Sequence, residues 1–400
     1  MKAVILAAGE GHRMHPLTYT RPKVMIPIAN RPILEHLLLE GVKAGINEFI
    51  FIVGYHDEQV RRYFDNGARW GASIDYCTQR KQLGTADALR IVEGLVDGNF
   101  LMMNGDIVVT QPDINNIIGY HTNTISLVEV ESKEDLGFIE LEGDRVARIH
   151  EKVEKPPSRM ANAGLYLFTK DIFTAISQTP KSPRGEYEIT DSLQVLIDGG
   201  DHVAYQQIDY WLNLSYPWDL LTANESLLVT GEEQNLGEVE DNVVVKGMVS
   251  IGKNTIVRSG SYIVGPVIIG QHCEIGPNCY IRPHTSIGDN CHIGNAVEIK
   301  NSIIMNNSNA PHNNYVGDSI IGEGCNLGAG TKIANLRLDE REIWVAGVNT
   351  KRSKLGAVLG DSVKTGINAS INLGSMIGNN THIGPGAMVN GIISPDSIIL

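Results

Sequence analysis

The sequence, 400 residues long, predicts an α/β half followed by a coil of short parallel strands. Three observations carry this reading. Strand-length apolar runs alternate with helical patterns up to about residue 230. From Val239 every sixth residue is aliphatic, eleven times without exception as far as Ile299. The glycines, 42 in all, crowd into that second half. Residues 1–230 and 231–400 are accordingly read as two domains.

In the first half, "AVILAAG" and "EFIFIVG" read as buried strands, and "PILEHLLLEGVKAG" has the spacing of a helix with one apolar face. Such alternation argues for a mostly parallel sheet covered on both faces, with ligands beyond the carboxyl ends of its strands. The first strand runs into "LAAGEGHRMHPLTYTRPKVMIPI". Gly9 and Gly11 let the backbone approach a ligand, and successive N–H groups there can cradle phosphate oxygens. Arg13 and Lys23 add the positive charge a triphosphate needs. The third glycine of a dinucleotide fingerprint is missing. "FLMMNGD" ends a buried strand at Asp106, a hard oxygen ligand where Mg²⁺ could accompany phosphate.

A period of six fits neither a helix nor a hairpin sheet. It fits short strands on the flat faces of a coil, each face giving one inward aliphatic residue per repeat. The pattern resembles the hexapeptide-repeat, left-handed parallel β-helix, with three hexapeptides per turn. Cys273, Cys279, Cys291 and Cys325 each follow a register position by four, a slot shared with Thr255, Ser261, Thr285 and Thr381. They read as small buried residues rather than ligands or nucleophiles. The period fails across "NNSNAPHNNYVGD" and resumes at Ile321. That stretch reads as a loop thrown off the coil, with His312 able to take a proton near neutral pH. On an 18-residue turn Arg282 and Lys300 stack one coil apart, as a phosphate clamp.

A net charge of −13 argues against nucleic acid or an anionic membrane as partner, while leaving small anions open. The apolar run in "MKAVILAAGEG" is too short for a signal-peptide core and no run reaches a membrane span. With five cysteines and no paired metal-ligand spacing, the expected compartment is the cytoplasm.

The full N-terminal pattern (glycines, Arg-Met, Pro-Leu-Thr, Arg-Pro-Lys) resembles the signature of the sugar-1-phosphate nucleotidylyltransferases. The resemblance implies a Rossmann-like nucleotidyltransferase domain. "QRKQLGTADAL" is similar to the family's base-reading segment, which implies Gln79, Gln82, Gly84 and Thr85 at the base and ribose. Gly137, Glu151, Lys152 and Asn162 match positions that hold the sugar phosphate. Asp106 matches a magnesium ligand, and Trp211-Leu212-Asn213 stands where many thymidylyltransferases have Trp-x-Asp. Asn213 there points to the branch that makes UDP-N-acetylglucosamine, with Asp209 as the alternative second ligand.

The second half resembles the acetyltransferase domain of the bifunctional glucosamine-1-phosphate acetyltransferase/N-acetylglucosamine-1-phosphate uridylyltransferase family. The resemblance implies His312 as base, and Arg282, Lys300, Tyr315 and Asn326 on the sugar phosphate. It places Asn335 near the amine and the Ala329 N–H on the thioester oxyanion of acetyl-CoA. It also implies UTP or dTTP as nucleotide and a homotrimer. Residues 336–354, "LRLDEREIWVAGVNTKRSK", depart from the bacterial pattern and look more like the archaeal version. The competing readings are a single-activity thymidylyl- or guanylyltransferase with a structural or regulatory coil, and a coil that serves as scaffold alone.

Overall fold

The computed structural model describes residues 1–131, 136–151, 157–231 and 233–400, which form two compact units. The first unit comprises Met1–Glu10, Arg21–Met25 and Ile33–Asn213; the second comprises Gly11–Thr20, Ile26–Pro32 and Leu214–Leu400.

The first unit is built on a nine-stranded sheet. Its order is Ser73–Thr78, Glu48–Val53, Lys2–Ala7, Phe100–Asn104, Met160–Phe168, Thr124–Glu129, Ala204–Gln207, Arg145–Glu151, Gly137–Glu142. The first four strands are parallel, Ala3 standing between Phe49 and Leu101. Met160–Phe168 is antiparallel to both neighbours, and the far edge is an antiparallel hairpin. The sheet is therefore mixed, against the expectation of a mostly parallel one. A strand buried on both faces loses its polar alternation in either direction, so "GLYLF" could not report its sense. Successive side chains feed opposite faces. Phe51, Leu101 and Leu165 belong to one core, and Ile52, Met102 and Tyr166 to the other.

In the second unit one chain visits three parallel ladders in rotation, of nine, nine and eight strands, the arrangement of a parallel β-helix. Its interior is a single column that includes Ile251, Ile263, Ile275, Ile287 and Ile299. The four coil cysteines are buried and free. Their thiols donate to carbonyls of the next coil, Cys279 to Gly294 at 2.7 Å and Cys273 to Gly288 at 3.0 Å. Thr255, Ser261, Thr285 and Thr381 are buried in the same slot, so the slot selects small side chains.

The registers explain the broken period. From the first ladder to the second, and from the second to the third, inward residues stay six apart throughout, as in Ile304, Ala310 and Val316. All the irregularity lies on the third edge, between the third ladder and the first. Ile299 to Ile304 and Val316 to Ile321 are steps of five, and Ile333 to Leu359 carries the long insert. "NNSNAPHNNYVGD" is thus no loop, contrary to the expectation from sequence. Asn309–His312 and Tyr315–Gly317 are strands of the coil itself. The protruding element is the insert, which carries the hairpin Trp344–Val345/Val348–Asn349.

Helix Pro217–Val229 precedes the coil. Its buried Asn224 accepts the Ala29 N–H at 2.9 Å and donates to the His284 carbonyl at 2.9 Å. Among the described residues no helix is long and apolar enough to cross a membrane.

Candidate functional site

In the first unit, polar groups gather at the carboxyl ends of the parallel strands. Phe100–Asn104 delivers Asp106, whose carboxylate is 2.6 Å from the Lys23 ammonium. The lysine side chain is 10% exposed and the aspartate 37%, so part of the carboxylate faces solvent. Asn213 lies opposite Ile107 in a two-strand ribbon, which sets it beside Asp106. Asp209 is exposed, and its N–H is held by Asp113 at 3.0 Å. A carboxylate and an amide at one strand end form a hard oxygen set suited to Mg²⁺. Two residues earlier, the buried Asn104 Oδ1 has no hydrogen-bond partner among the described residues.

The segment after Ser73–Thr78 is tied down from several sides. Gln79 is buried, and its amide donates to the Gly84 carbonyl and to Asp87, both at 3.1 Å. Gln82 donates to the Ala8 carbonyl at 2.9 Å, which joins this segment to the start of the glycine loop. Gly84 has φ +108, and an added Cβ would lie 2.4 Å from the Tyr187 carbonyl oxygen, so close backbone approach requires glycine. Thr85 accepts the Ile189 N–H at 2.9 Å. A Cβ added at Gly9 would meet nothing within 4 Å, so the backbone there is open to a ligand.

Gly137 and Glu151 face each other in the edge hairpin, and Thr190 donates to Glu151 at 3.1 Å. Asn162 donates to the Tyr166 hydroxyl at 2.7 Å and accepts the Gly164 N–H at 3.0 Å. Lys152 lies outside the described residues. Tyr166, a core residue, is fully buried with Glu151, Glu188 and Asp106 as charged surroundings. Burial pushes its phenol upward, opposed by the hydrogen bond from Asn162, and these carboxylates add to the rise. Burial also raises the Glu188 carboxyl, opposed by the Arg184 guanidinium at 2.6 Å.

Gly11 and Arg13 belong to the second unit. Gly11 has φ +78, and its carbonyl accepts the Thr18 hydroxyl at 3.0 Å. The Arg13 guanidinium stands 5.3 Å from the Tyr216 ring centroid, on a cavity of about 370 Å³ that Trp218, Val345 and Met376 also line.

The coil gathers a second constellation on the third ladder and its two edges. Tyr280, Glu298, Tyr315 and Lys332 stand side by side on four successive coils. On the shortened edge come Arg282, Lys300, Asp318 and Asn335. Pairing of Ile281 with Ile299 puts Arg282 one coil from Lys300. Each cation already has a carboxylate: Arg282 donates to Glu298 at 2.9 Å, and Lys300 lies 3.1 Å from Asp318. The Asn335 amide donates to Asp318 at 2.5 Å. Burial raises the Tyr315 phenol, opposed by its hydrogen bond with Asn335.

His312 and Ala329 occupy the other edge of the third ladder, the one that keeps its period of six. His312 is exposed, pairs with Asn295, and accepts the Gly330 N–H on its carbonyl at 3.0 Å. Asn326 is exposed on the second ladder beside Asn309. The period therefore breaks at the edge of the cations and not at the histidine, which corrects the expectation from sequence. Asp318 and Glu298 were missed. Arg282, Lys300 and Asp318 are evenly spaced in sequence, so the counting that linked the two cations would have reached the aspartate as well.

A phosphate-type loop, a strand-end carboxylate and a parallel coil together define a nucleotidyl transferase extended by a β-helix. Residues 2–229 match the family model described as nucleotidyl transferase, and 263–373 match the one described as GMPPB C-terminal domain. The chain is 39% identical over 405 aligned residues to "Bifunctional protein GlmU" of Methanococcus maripaludis, covering 100% of this chain and 97% of that protein. It is 40% identical to "Bifunctional sugar-1-phosphate nucleotidylyltransferase/acetyltransferase" of Sulfurisphaera tokodaii, covering 98% and 97%. A solved Bacillus anthracis structure, assigned as a glucose-1-phosphate thymidylyltransferase in complex with sucrose, aligns with TM-score 0.54 and 26% identity. It covers 59% of this chain and 98% of that one. The chain belongs to the family of bifunctional sugar-1-phosphate nucleotidylyltransferase/acetyltransferases.

Proposed function

We propose that the protein N-acetylates glucosamine-1-phosphate with acetyl-CoA and then transfers uridylyl from UTP to N-acetylglucosamine-1-phosphate, releasing pyrophosphate. Residues 1–230 form the Rossmann-like nucleotidylyltransferase domain, and 231–400 the acetyltransferase domain on a left-handed coil. The observation that carries this reading is the shortened edge, where Arg282, Lys300, Asp318 and Asn335 converge in a chain whose bifunctional relatives match it end to end.

In nucleotidyl transfer the sugar phosphate oxygen attacks the α-phosphorus in line with the leaving pyrophosphate. Bound Mg²⁺ supplies charge neutralisation and polarises phosphate oxygens. Asp106 and Asn213 would hold it, and Lys23, paired with Asp106 in this structure, would turn its ammonium to phosphate oxygens. Arg13 keeps the charge-neutralising role its sequence pattern implies. Gln79, Gln82, Gly84 and Thr85 shape the base and ribose end, while Gly137, Glu151, Lys152 and Asn162 hold the sugar.

In acetyl transfer the amine attacks the thioester carbonyl, the C–N bond forms and the C–S bond breaks. The amine proton passes to His312, and the sulfur leaves as the thiolate of the coenzyme. Arg282, Lys300, Tyr315 and Asn326 hold the sugar phosphate, Asn335 orients the amine, and the Ala329 N–H faces the oxyanion. A coil edge offers little wall to a molecule as large as acetyl-CoA, so a homotrimer completes the site with neighbouring coils. The compartment is the cytoplasm.

One reading competes: the match of 263–373 to a GMPPB C-terminal domain favours a guanylyltransferase whose coil only supports assembly. Purified protein given acetyl-CoA and glucosamine-1-phosphate, then UTP, decides between them. Free thiol followed by pyrophosphate is the expected result. Pyrophosphate from GTP and mannose-1-phosphate, with no thiol, would establish the competitor.

A further inference from the structure

We propose that Asp318 is the positioning residue of the acetyl-transfer site, one carboxylate that sets both the Lys300 ammonium and the Asn335 amide. The inference rests on the acetyl-transfer reading above and gives Asp318 a role that reading did not assign.

Only 3% of the Asp318 side chain is exposed. A carboxylate this buried is costly unless donors surround it. Asp318 has three. Oδ2 takes Lys300 Nζ at 3.1 Å and Asn335 Nδ2 at 2.5 Å, and Oδ1 takes Asn301 Nδ2 at 2.9 Å. Two of these donors are residues expected to touch substrate, so their mutual placement is fixed through a single group.

The shortened steps put Asp318 there. Asn301 and Asp318 turn the two five-residue corners in the left-handed region, at φ 44 and φ 49, a conformation these two side chains tolerate better than most. The Asp318 N–H is held by the Lys300 carbonyl at 2.9 Å, and its own carbonyl accepts the Gly356 N–H at 2.8 Å. Backbone and side chain are thus both committed.

The carboxylate also anchors the insert at each end. Asn335 stands where the chain leaves the coil. Asn301 extends the network to Glu225 at 2.8 Å, and Glu225 takes Arg352 of the returning segment at 2.6 Å. Removing the charge from Asp318 leaves Lys300 without its carboxylate, and the new amide sets one N–H group against donors. Lys300 then meets phosphate less well oriented, and Asn335 loses its aim at the amine.

The test is steady-state acetylation and, in parallel, uridylyl transfer to supplied N-acetylglucosamine-1-phosphate. Asp318→Asn should lower kcat/KM for glucosamine-1-phosphate about 10- to 100-fold, with both KM and kcat changed. Uridylyl transfer should stay within about twofold of wild type. Asn335→Ala should cost distinctly less in the Asp318→Asn background than in wild type, because the two act as one unit. A purely structural aspartate would lower the melting temperature without moving the kinetics of the folded enzyme, or would give additive effects; either outcome overturns the proposal. Should Asp318→Asn not fold, Asp318→Glu serves: it keeps the charge but displaces it by a methylene, and unchanged kinetics would sink the proposal equally. A wild type inert toward acetyl-CoA overturns the acetyl-transfer reading itself, whereas an active wild type with an unaltered Asp318→Asn overturns this inference alone.

Discussion

The two constellations are assembled in opposite ways. In the α/β unit Lys23, Asp106 and Asn213 come from three distant segments, a short 3-10 turn, the end of a parallel strand and a two-strand ribbon, brought together by the topology of the chain. In the coil, Arg282, Lys300 and Asp318 meet because each turn returns the chain to the same edge. The first kind of site depends on topology, and the second on counting. The coil also separates scaffold from site: two edges hold a strict step of six, and every deletion and insertion falls on the third. Regularity there is stability, and irregularity marks where side chains must be re-aimed.

The largest expected effects come from removing one residue at each site. His312→Ala should slow acetyl transfer by about 10²- to 10⁴-fold. Asp106→Asn should slow uridylyl transfer on the order of 100-fold or more, through weakened Mg²⁺ binding, read as a raised Mg²⁺ requirement for pyrophosphate release. The next test strikes at the coil's arithmetic. One glycine inserted after Asn301 restores the step of six between Ile299 and Ile304, a spacing the coil accepts between Ile281 and Ile287. The fold should survive, and acetyl transfer should fall about 100-fold because the enlarged corner moves Asn301 off the Asp318 carboxylate. Unchanged acetylation in that variant would detach the shortened edge from catalysis.

Smallest of all is Cys325→Ala. Its thiol fills the interior and donates to Gly360 at 3.2 Å, so about 1 kcal/mol of stability should go and neither activity should change.

Much of this was legible beforehand. The strands "AVILAAG" and "EFIFIVG", the helix starting near Tyr216 and the buried cysteine slot appear where residue pattern put them. Strand sense in the sheet was not legible, because continuous apolar runs carry no direction. The shortened corners were also hidden, since Ala310 and Val316 look unremarkable unless a step of five is admitted before them. Asp318 stood at the end of the stretch read as a loop; its role depends on burial and on three donors, and neither is written in a local pattern. Lys152, matched to the sugar phosphate from sequence, lies outside the described residues.

The measurement that bears most directly on two independent sites is a crossed assay, with free thiol and pyrophosphate followed in His312→Ala and Asp106→Asn of equal folded content. The account predicts that His312→Ala releases pyrophosphate from UTP and N-acetylglucosamine-1-phosphate at the wild-type rate while thiol release from acetyl-CoA collapses, and that Asp106→Asn shows the converse. Loss of both activities in either folded variant, or of neither in His312→Ala, would contradict it.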